Sequence, residues 1–245
     1  MDISGKVTII TGASMGIGLA TAHVFAQAGA KLVLVARSAD KLETLAGELR
    51  AQGHEAIVIP ADLRNTTAIH AMAQQAFDHF GRIDILINNA GQAAAGQVAT
   101  VNPDHYRQII ELNIFGPLHA IQAIVPMMRQ GGSGVIINVS SMVSKMSIPG
   151  LGTYASTKAA LNMLSDTARG ELAPDNIRVI TVYPRLTATE FGRNSLGDER
   201  MRQQQRATPN ANANAGPRPT ADSAEHVANR ILLAAQNEPK EQFMD

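Results

Sequence analysis

Short apolar segments alternate with stretches of helical periodicity along most of the chain. The apolar segments are rich in Val, Ile and Leu, which is typical of strands buried on both faces of a parallel sheet. The predicted strands are Lys6–Ile10, Lys31–Ala36, Glu55–Pro60, Asp84–Asn88, Val135–Val139 and Ile177–Val182. The predicted helices are Ile17–Ala28, Ala39–Ala51, Thr66–Phe80, Pro103–Gln130, Tyr154–Leu172 and Ala221–Asn237. This alternation predicts an α/β fold with a doubly wound, mostly parallel sheet of six to seven strands and helices on both faces.

Two segments depart from the regular alternation. The long helix over residues 103–130 contains Gly116 and Pro117, and because proline removes a backbone donor we expect a bend there. Residues 189–219 are polar and weakly patterned, and they follow the carboxyl end of a strand. Their composition is typical of a disordered loop, but their position also suits a mobile lid over a substrate, and we predict such a lid.

Composition narrows the class of protein. The 245 residues fit a single domain, and 45% of them are hydrophobic, enough for a sizeable core. Lys and Arg number 21 and Asp and Glu number 21, so neither nucleic acid nor an anionic membrane is indicated as a partner. The chain lacks cysteine, which excludes disulfides, thiolate metal sites and thiol catalysis. It shows neither a signal peptide nor an apolar run of ~18 residues, so we expect a cytoplasmic protein.

A glycine-rich turn, Thr11-Gly-Ala-Ser-Met-Gly-Ile-Gly18, lies between the first strand and the first helix. Such a turn brings bare backbone N–H groups and a helix N-terminus to one point, which attracts phosphate. The same letters also contain G-x-S-x-G, the nucleophile elbow of serine hydrolases, with Ser14 as the nucleophile. The turn alone leaves both interpretations open.

Four further groups of polar residues follow in order. They are Asn88-Asn89-Ala90-Gly91 after the fourth strand, Asn113 in the long helix, Ser140-Ser141 after the fifth strand, and Tyr154-Ala-Ser-Thr-Lys158 at the next helix. Together with the glycine turn, this set resembles the short-chain dehydrogenase/reductase family in its single-domain form, over roughly residues 6–189. The resemblance implies a Rossmann-type fold and hydride transfer between a nicotinamide dinucleotide and a carbonyl or alcohol.

The predicted catalytic residues are Asn113, Ser141, Tyr154 and Lys158. Tyr154 and Lys158 lie one helical turn apart, so their side chains share a face. An ammonium beside a phenol lowers the phenol's pKa, which would let Tyr154 exchange a proton with a substrate oxygen. Ser141 is placed to hydrogen-bond the same oxygen. The resemblance further implies that Lys158 holds the nicotinamide ribose and that Asn113 supports a water chain behind the lysine.

The choice of dinucleotide depends on the end of the second strand. An NAD site needs a carboxylate there, whereas this chain has Ala36 followed by Arg37 and Ser38. An arginine suits a 2′-phosphate, so we favour NADP(H) over NAD(H), although Arg37 is alternatively a plain surface charge. Asp62 matches a family position that contacts adenine, with a helix N-cap as the alternative. The predicted cofactor-binding residues are Gly12, Ser14, Gly16, Ile17, Gly18, Arg37, Ser38, Asp62, Leu63, Asn89, Ala90, Gly91, Tyr154, Lys158, Pro184, Thr187 and Thr189.

The chain departs from the family pattern after the sixth strand. Pro184 and Thr189 match, but Arg185 stands where the family usually has glycine. If that position requires a positive φ, arginine is strained there by about 1 kcal/mol or more. Its side chain alternatively reaches the pocket and pairs with an acidic substrate. The short tail leaves room only for a stub of a seventh strand near Phe243.

The predicted substrate is a small, apolar carbonyl or alcohol compound. The resemblance also implies a homodimer or homotetramer formed through the helices that start near Pro103 and Tyr154. The histidines show no close metal-ligand spacing, so no metal site is predicted. The predicted pocket residues are Gln92 to Ala95, Met142, Val143, Ile148, Leu151, Tyr183 and the region of Phe191.

Two other functions compete with this interpretation. A serine hydrolase using Ser14 would need a partner histidine and aspartate after the elbow, and His226 is the one histidine in the last third of the chain. A dinucleotide-binding sensor without turnover is the other alternative, since a fold does not fix a function. A sensor, however, has no need of the proton donor that Ser141, Tyr154 and Lys158 would form.

Overall fold

The computed structural model describes residues 1–197 and 221–244, and its centre is a seven-stranded parallel sheet. The strands are β1 (Val7–Thr11), β2 (Lys31–Ala36), β3 (Ala56–Pro60), β4 (Ile85–Asn88), β6 (Gly134–Val139), β7 (Ile177–Tyr183) and β9 (Glu241–Phe243). Their spatial order is β3-β2-β1-β4-β6-β7-β9, which confirms the predicted doubly wound, Rossmann-type fold. The last strand is the expected stub near Phe243; it has three residues and pairs with its neighbour in parallel.

Seven α-helices are described, close to the predicted positions. They are α1 (Gly16–Gln27), α2 (Ala39–Ala51), α3 (Thr66–Phe80), α4 (Pro103–Ile110), α5 (Gly116–Gln130), α6 (Gly152–Leu172) and α7 (Ala224–Asn237). The last begins three residues later than predicted, because Ser223 is its N-cap and accepts a hydrogen bond from the backbone N–H of His226. Gly81 ends α3 in the left-handed conformation, φ 72°, as its place after the apolar periodicity predicts.

The apolar strand residues alternate between two core layers. Ile10 and Leu34 point to the face covered by α1, α2 and α7, whereas Ile9 and Val35 point to the face covered by α3 and α5. Both layers are fully enclosed, which explains why the strands read as continuous apolar runs rather than as an alternating pattern.

The long helix is interrupted where the bend was expected, but the interruption is a π-helical turn, Glu111–Phe115, between α4 and α5. Gly116 donates its backbone N–H to Glu111, five residues back. Residues 103–130 are long and apolar enough to cross a membrane by length and composition, with a mean hydropathy of 1.3. They pack instead against α3 and the sheet, so this segment is a core helix.

The predicted lid over residues 189–219 falls mostly outside the described residues. Its first part forms a short 3₁₀ helix, Glu190–Asn194, and a two-residue strand, β8 (Leu196–Gly197). This strand pairs in parallel with β5 (Ala94–Ala95), which follows β4. The start of the segment is therefore fastened to the loop that leaves the sheet beside the glycine turn.

Candidate active site

The carboxyl ends of β1 and β4 meet at the centre of the sheet, where the strand order reverses. This is the position at which open α/β sheets bind ligands. The glycine turn after β1 and the Asn-Asn-Ala-Gly loop after β4 face each other there. A β-carbon on Gly12, whose φ is +69°, would stand 2.9 Å from the Cα of Ala90. The two loops therefore approach too closely for a side chain at Gly12.

Thr11, the first residue of the glycine turn, links the two loops, a role that the sequence did not predict. The Thr11 hydroxyl donates to the Ile87 carbonyl (3.1 Å) and accepts from the backbone N–H groups of Asn89 (2.9 Å) and Ala90 (3.1 Å). The Asn89 side chain in turn donates to the Thr11 carbonyl at 2.9 Å. Asn89 therefore holds the loop after β4 against the glycine turn. The sequence feature that would have identified its partner is Thr11, the hydroxyl residue directly before the first glycine.

The start of α1 fits a phosphate. Its N-cap is Met15, and within the described residues no side chain caps the N–H groups of its first turn. Gly16 and Ile17 supply the first of these N–H groups, which point along the positive end of the helix dipole. Glycine at positions 12, 16 and 18 lets the turn pack tightly, because an added β-carbon would meet Ala90, Thr189 and the Gly12 carbonyl, respectively. These residues fit the pyrophosphate of a dinucleotide.

Ser14 is not surrounded as a nucleophile would be. It borders a groove of about 200 Å³ whose described lining is Leu19, Lys41, Thr44, Leu45 and Glu48. No histidine is part of this described lining, so the partner that a serine hydrolase requires is missing from it. The geometry favours the phosphate-binding interpretation of the turn.

Ser141, Tyr154 and Lys158 come together at the carboxyl end of β6. Ser141 lies close enough to Tyr154 for its hydroxyl to lower the pKa of the Tyr154 phenol. Lys158, 4% exposed, donates to the carbonyl oxygen of Val139 at 2.8 Å. The three side chains belong to adjacent elements, because Ser141 directly follows β6 and α6 packs along β7 and the turn after β6. The predicted catalytic group therefore assembles.

The pKa values at this site differ from the prediction. Desolvation raises the pKa of Tyr154 to about 12, and the neighbouring Ser141 hydroxyl offsets only part of that rise. Burial lowers the pKa of Lys158 to about 8. The expectation that Lys158 lowers the pKa of Tyr154 is wrong for this structure, since desolvation dominates the shift and Lys158 is not among its causes.

Asn113 lies in the π-helical turn and is completely buried. Its amide accepts from the N–H of Gln92 (2.9 Å) and donates to the carbonyl of Gln92 (2.9 Å) and to the hydroxyl of Thr157 (3.0 Å). A β-carbon on Gly91 would stand 3.3 Å from the Asn113 side-chain oxygen and 3.5 Å from the Lys158 nitrogen. Asn113 and Lys158 therefore flank the same glycine. Gln92 and Thr157 carry no sequence signal that would have predicted this role.

The end of β2 presents the residues predicted to select the dinucleotide. Arg37 is exposed, and Ser38 is the N-cap residue of α2 although its hydroxyl does not cap the helix within the described structure. Asp62 is not an N-cap, because Asn65 caps α3 through a 3.1 Å bond from Ala68. The guanidinium of Arg64, bound to the Asp62 carboxylate, keeps the pKa of Asp62 below its usual value.

Leu63 differs from its neighbours because its side chain belongs to the core. It is 6% exposed and lies in the layer beneath α3 and α5. A β-carbon on Gly116 would stand 2.9 Å from the Leu63 carbonyl oxygen. The Leu63 side chain therefore packs in the core, and its carbonyl lies against Gly116.

The loop after β7 joins both halves of the site. The Pro184 carbonyl accepts from the N–H of Met142, the residue after Ser141 (2.9 Å). At the other end, a β-carbon on Gly16 would stand 3.2 Å from the Thr189 side chain. Thr187, between them, donates its hydroxyl to the Arg185 carbonyl at 3.0 Å. All three predicted cofactor-binding residues of this loop therefore lie in one segment between Ser141 and the glycine turn.

Arg185 behaves differently from both expectations. Among described non-glycine residues, positive φ occurs at Asn176 and Glu238, so Arg185 carries no such strain. Its guanidinium binds the carboxylate of Asp222 (3.1 and 3.2 Å). Glycine is not required at this position, and the side chain is directed to a protein carboxylate.

The structure brings one aromatic residue of the predicted substrate pocket close to Tyr154 and turns another away. The Phe191 ring lies 5.7 Å from that of Tyr154, so Phe191 packs beside the Tyr154 ring. Tyr183 is turned away: its hydroxyl donates to Glu241 (2.8 Å) and its ring stacks on Phe243 at 4.9 Å. Tyr183 therefore stabilises β9. The remaining predicted pocket residues lie near β5 or in the 140–151 segment, namely Gln92 to Ala95, Met142, Val143, Ile148 and Leu151.

Comparison with known proteins agrees with this geometry. The family described as short chain dehydrogenase matches residues 6–200. An uncharacterized oxidoreductase of Mycobacterium bovis is 40% identical over 192 residues, 76% of this chain and 56% of that protein, so the chain spans little more than half of that relative's length.

Two solved structures are similar over the whole chain. L-sorbose reductase from Gluconobacter frateurii, in complex with NADPH and L-sorbose, has a TM-score of 0.87 and 30% identity, covering 100% of this chain and 97% of that one. A short chain dehydrogenase/reductase from Burkholderia phymatum, in complex with NAD, has a TM-score of 0.87 and 25% identity, covering 100% and 90%. With the family matched over most of the sequence and these structures matched over all of it, the chain belongs to the short-chain dehydrogenase/reductase family.

Proposed function

We propose that this protein is an oxidoreductase that uses NADP(H) to interconvert a carbonyl and a secondary alcohol, with reduction as its working direction. The observation that carries the proposal is that Tyr154 lies beside Ser141 and one helical turn from Lys158, whose buried ammonium donates to the Val139 carbonyl. A proton donor, an oxygen-binding hydroxyl and a cation are what carbonyl reduction requires of a protein.

The chemistry divides between the chain and the dinucleotide. A bound nicotinamide dinucleotide supplies the hydride for the carbonyl carbon. Ser141 donates a hydrogen bond to the carbonyl oxygen, and Tyr154 gives that oxygen its proton. With a pKa of about 12, the Tyr154 phenol is protonated across the neutral range, so it is ready to donate. The reverse reaction needs the phenolate, which burial disfavours.

Lys158 and Asn113 hold the surroundings of the Tyr154 proton donor in place. The Lys158 ammonium donates one of its three N–H groups to the Val139 carbonyl. The other two remain available for a ribose hydroxyl and for the Tyr154 phenol oxygen. Asn113 holds the adjacent Gln92 backbone on both its N–H and its carbonyl. This keeps the loop after β4 at a fixed distance from Lys158.

NADP(H) is the proposed dinucleotide because of the charge at the end of β2. Ala36 ends the strand without a carboxylate to bind a ribose 2′-hydroxyl, and the exposed Arg37 follows it. The Ser38 hydroxyl, which caps no N–H within the described structure, adds a second donor for a 2′-phosphate. Similar proteins have been solved with both dinucleotides, NADPH in the sorbose reductase and NAD in the Burkholderia protein.

An apolar ketone or aldehyde is the proposed substrate. Phe191 packs beside the Tyr154 ring, and Ile148, a predicted pocket residue, exposes an apolar side chain. A homodimer or homotetramer is also proposed. Met163 and Leu164 leave an apolar patch on α6, 69% and 38% exposed, which suits helix packing between two copies.

The test is NADPH oxidation against a panel of aldehydes and ketones of increasing size and hydrophobicity. Wild type is expected to turn over apolar members, and Tyr154→Phe is expected to lose about 10²–10⁴-fold in kcat/KM while binding NADPH within a few-fold of wild type. Dinucleotide binding without turnover by wild type, together with an unchanged Tyr154→Phe variant, would support the sensor instead.

A further inference from the structure

Arg185 and Asp222 form an ion pair between two segments that are far apart in the sequence. The guanidinium makes two hydrogen bonds, from Nη2 to Oδ1 (3.1 Å) and from Nε to Oδ2 (3.2 Å). The Asp222 side chain is only 10% exposed, whereas that of Arg185 is 50% exposed. A two-pronged contact to a mostly buried carboxylate is stronger than an ordinary surface pair.

The backbone repeats this attachment. Asp222 donates its N–H to the Leu186 carbonyl (2.8 Å), and Ala188 donates its N–H to the Asp222 carbonyl (3.0 Å). Thr187 forms an isolated parallel bridge with Asp222. Side chain and backbone of Asp222 thus both hold residues 185–188.

The loop held by Asp222 runs from the end of β7 to the glycine turn. It is rooted at Pro184, which binds Met142, and it ends at Thr189, whose side chain lies against Gly16. Beyond it, the Asn194 carbonyl accepts from the Gln92 side chain (2.7 Å). The 184–194 stretch therefore runs from the serine end of the site to the glycine turn and the loop after β4, and residues 185–188 are its middle support.

We propose that Arg185 is a positioning residue: through Asp222 it fixes the loop that sets Thr189 against the glycine turn, and so sets the affinity for the dinucleotide. Arg185 itself need not touch the ligand, since its guanidinium is directed to Asp222. The inference rests on the proposed function, because it assumes that the glycine turn binds a dinucleotide.

Removing either partner frees the loop. Arg185→Met leaves the mostly buried Asp222 carboxylate without its two charged donors, and Asp222→Asn removes the charge from the acceptor. Each is expected to raise the Kd and KM for NADPH about tenfold, while kcat at saturating NADPH falls less than about threefold. Arg185→Lys keeps the charge but loses the fork, so it should lie between wild type and Arg185→Met.

The experiment measures NADPH binding by titration calorimetry, and KM and kcat separately, on the full chain. The double variant Arg185→Met/Asp222→Asn is included because the two effects belong to one contact and should not add. The matched control is Arg129→Met, which breaks the comparable Arg129–Asp175 pair (2.7 Å) at the end of α5. This control should leave Kd, KM and kcat unchanged.

The outcomes separate the positioning role from the proposed function. A rise in Kd and KM with kcat retained and a non-additive double variant supports the role. Equal losses in Arg129→Met and Arg185→Met, additive effects in the double variant, or wild-type Kd in both single variants overturn it while the proposed function stands. If wild type binds neither NADPH nor NADH, the proposed function fails and the inference falls with it.

Discussion

Gly18 lies so close to Gly12 that a β-carbon on Gly18 would stand 2.3 Å from the Gly12 carbonyl oxygen. The same β-carbon would stand 2.6 Å from the Asn89 side-chain nitrogen, which donates to the Thr11 carbonyl. Both distances are below van der Waals contact, and one of the obstacles is backbone. The absence of a side chain at Gly18 therefore allows α1 to pack closely against Gly12 and the Asn89 side chain.

Gly18→Ala is expected to destabilise the fold by more than about 1 kcal/mol and to abolish measurable dinucleotide binding, because the turn must open to admit the methyl group. Gly47→Ala is the control: Gly47 lies within α2, has nothing within 4 Å of an added β-carbon, and has ordinary helical φ. That variant should gain up to about 1 kcal/mol. Urea denaturation and calorimetry would check both, and similar behaviour of the two variants would contradict the steric argument.

Lys158 makes stability depend on pH. Its pKa is about 8 in the folded chain and 10.5 when exposed, so between these values the unfolded state binds more protons and stability rises with pH. Lys158→Met removes that dependence. At pH 7 it should be more stable than wild type by at most about 3 kcal/mol, less the hydrogen bond to Val139, and the gain should disappear above pH 10.5.

Urea midpoints of wild type and Lys158→Met at pH 7, 9 and 10.5 measure this difference. Lys31→Met serves as the control, since Lys31 is 41% exposed and pairs with Glu55 at the surface. Its stability difference from wild type should not grow or shrink across the Lys158 window. A constant gap for Lys158→Met over the whole range would show that the buried lysine does not titrate as described.

The fold was predictable because the strands are buried on both faces. Continuous runs such as Lys31–Ala36 leave little ambiguity when glycine or a capping residue marks the neighbouring helices. The same reasoning missed β5 and β8, which have two residues each and pair only because residues 194–197 lie over the loop after β4. Such contacts depend on tertiary structure and leave no periodicity in the sequence.

The site divides in a similar way. Residue types that the chemistry requires, such as Tyr154 and Lys158, are visible from their spacing, but their pKa values follow from burial that no spacing shows. Arg185 is the clearest case. The sequence shows that it departs from the family pattern, whereas its partner Asp222 is 37 positions away and had no reason to be chosen.

Arg37 is predicted to distinguish the two dinucleotides. Arg37→Gln should weaken NADPH binding roughly 10–100-fold, the size of a lost charged hydrogen bond, and leave NADH binding nearly unchanged. The control Arg107→Gln changes the same charge on α4, where Arg107 pairs with Asp104. Titration with both dinucleotides at two salt concentrations checks the effect. Equal losses for NADPH and NADH in Arg37→Gln would show that Arg37 does not bind a 2′-phosphate.

Asn113 tests whether the π-helical turn serves the site. Asn113→Ala removes all three bonds of the amide and leaves the N–H and carbonyl of Gln92 without that partner in a largely enclosed place, so we expect a loss of about 1–3 kcal/mol in stability. Activity should fall further than stability alone explains, because Gln92 follows Gly91, the glycine that Lys158 and Asn113 flank.

Thr157→Val is the matched variant, since it removes only the 3.0 Å bond to Asn113 and the bond to the Tyr154 carbonyl. In Thr157→Val, Asn113 still bonds the N–H and carbonyl of Gln92. We therefore expect kcat/KM to stay within a few-fold of wild type. Should both variants lose activity in proportion to their stability, Asn113 acts through the fold alone and the π turn has no part in positioning Lys158.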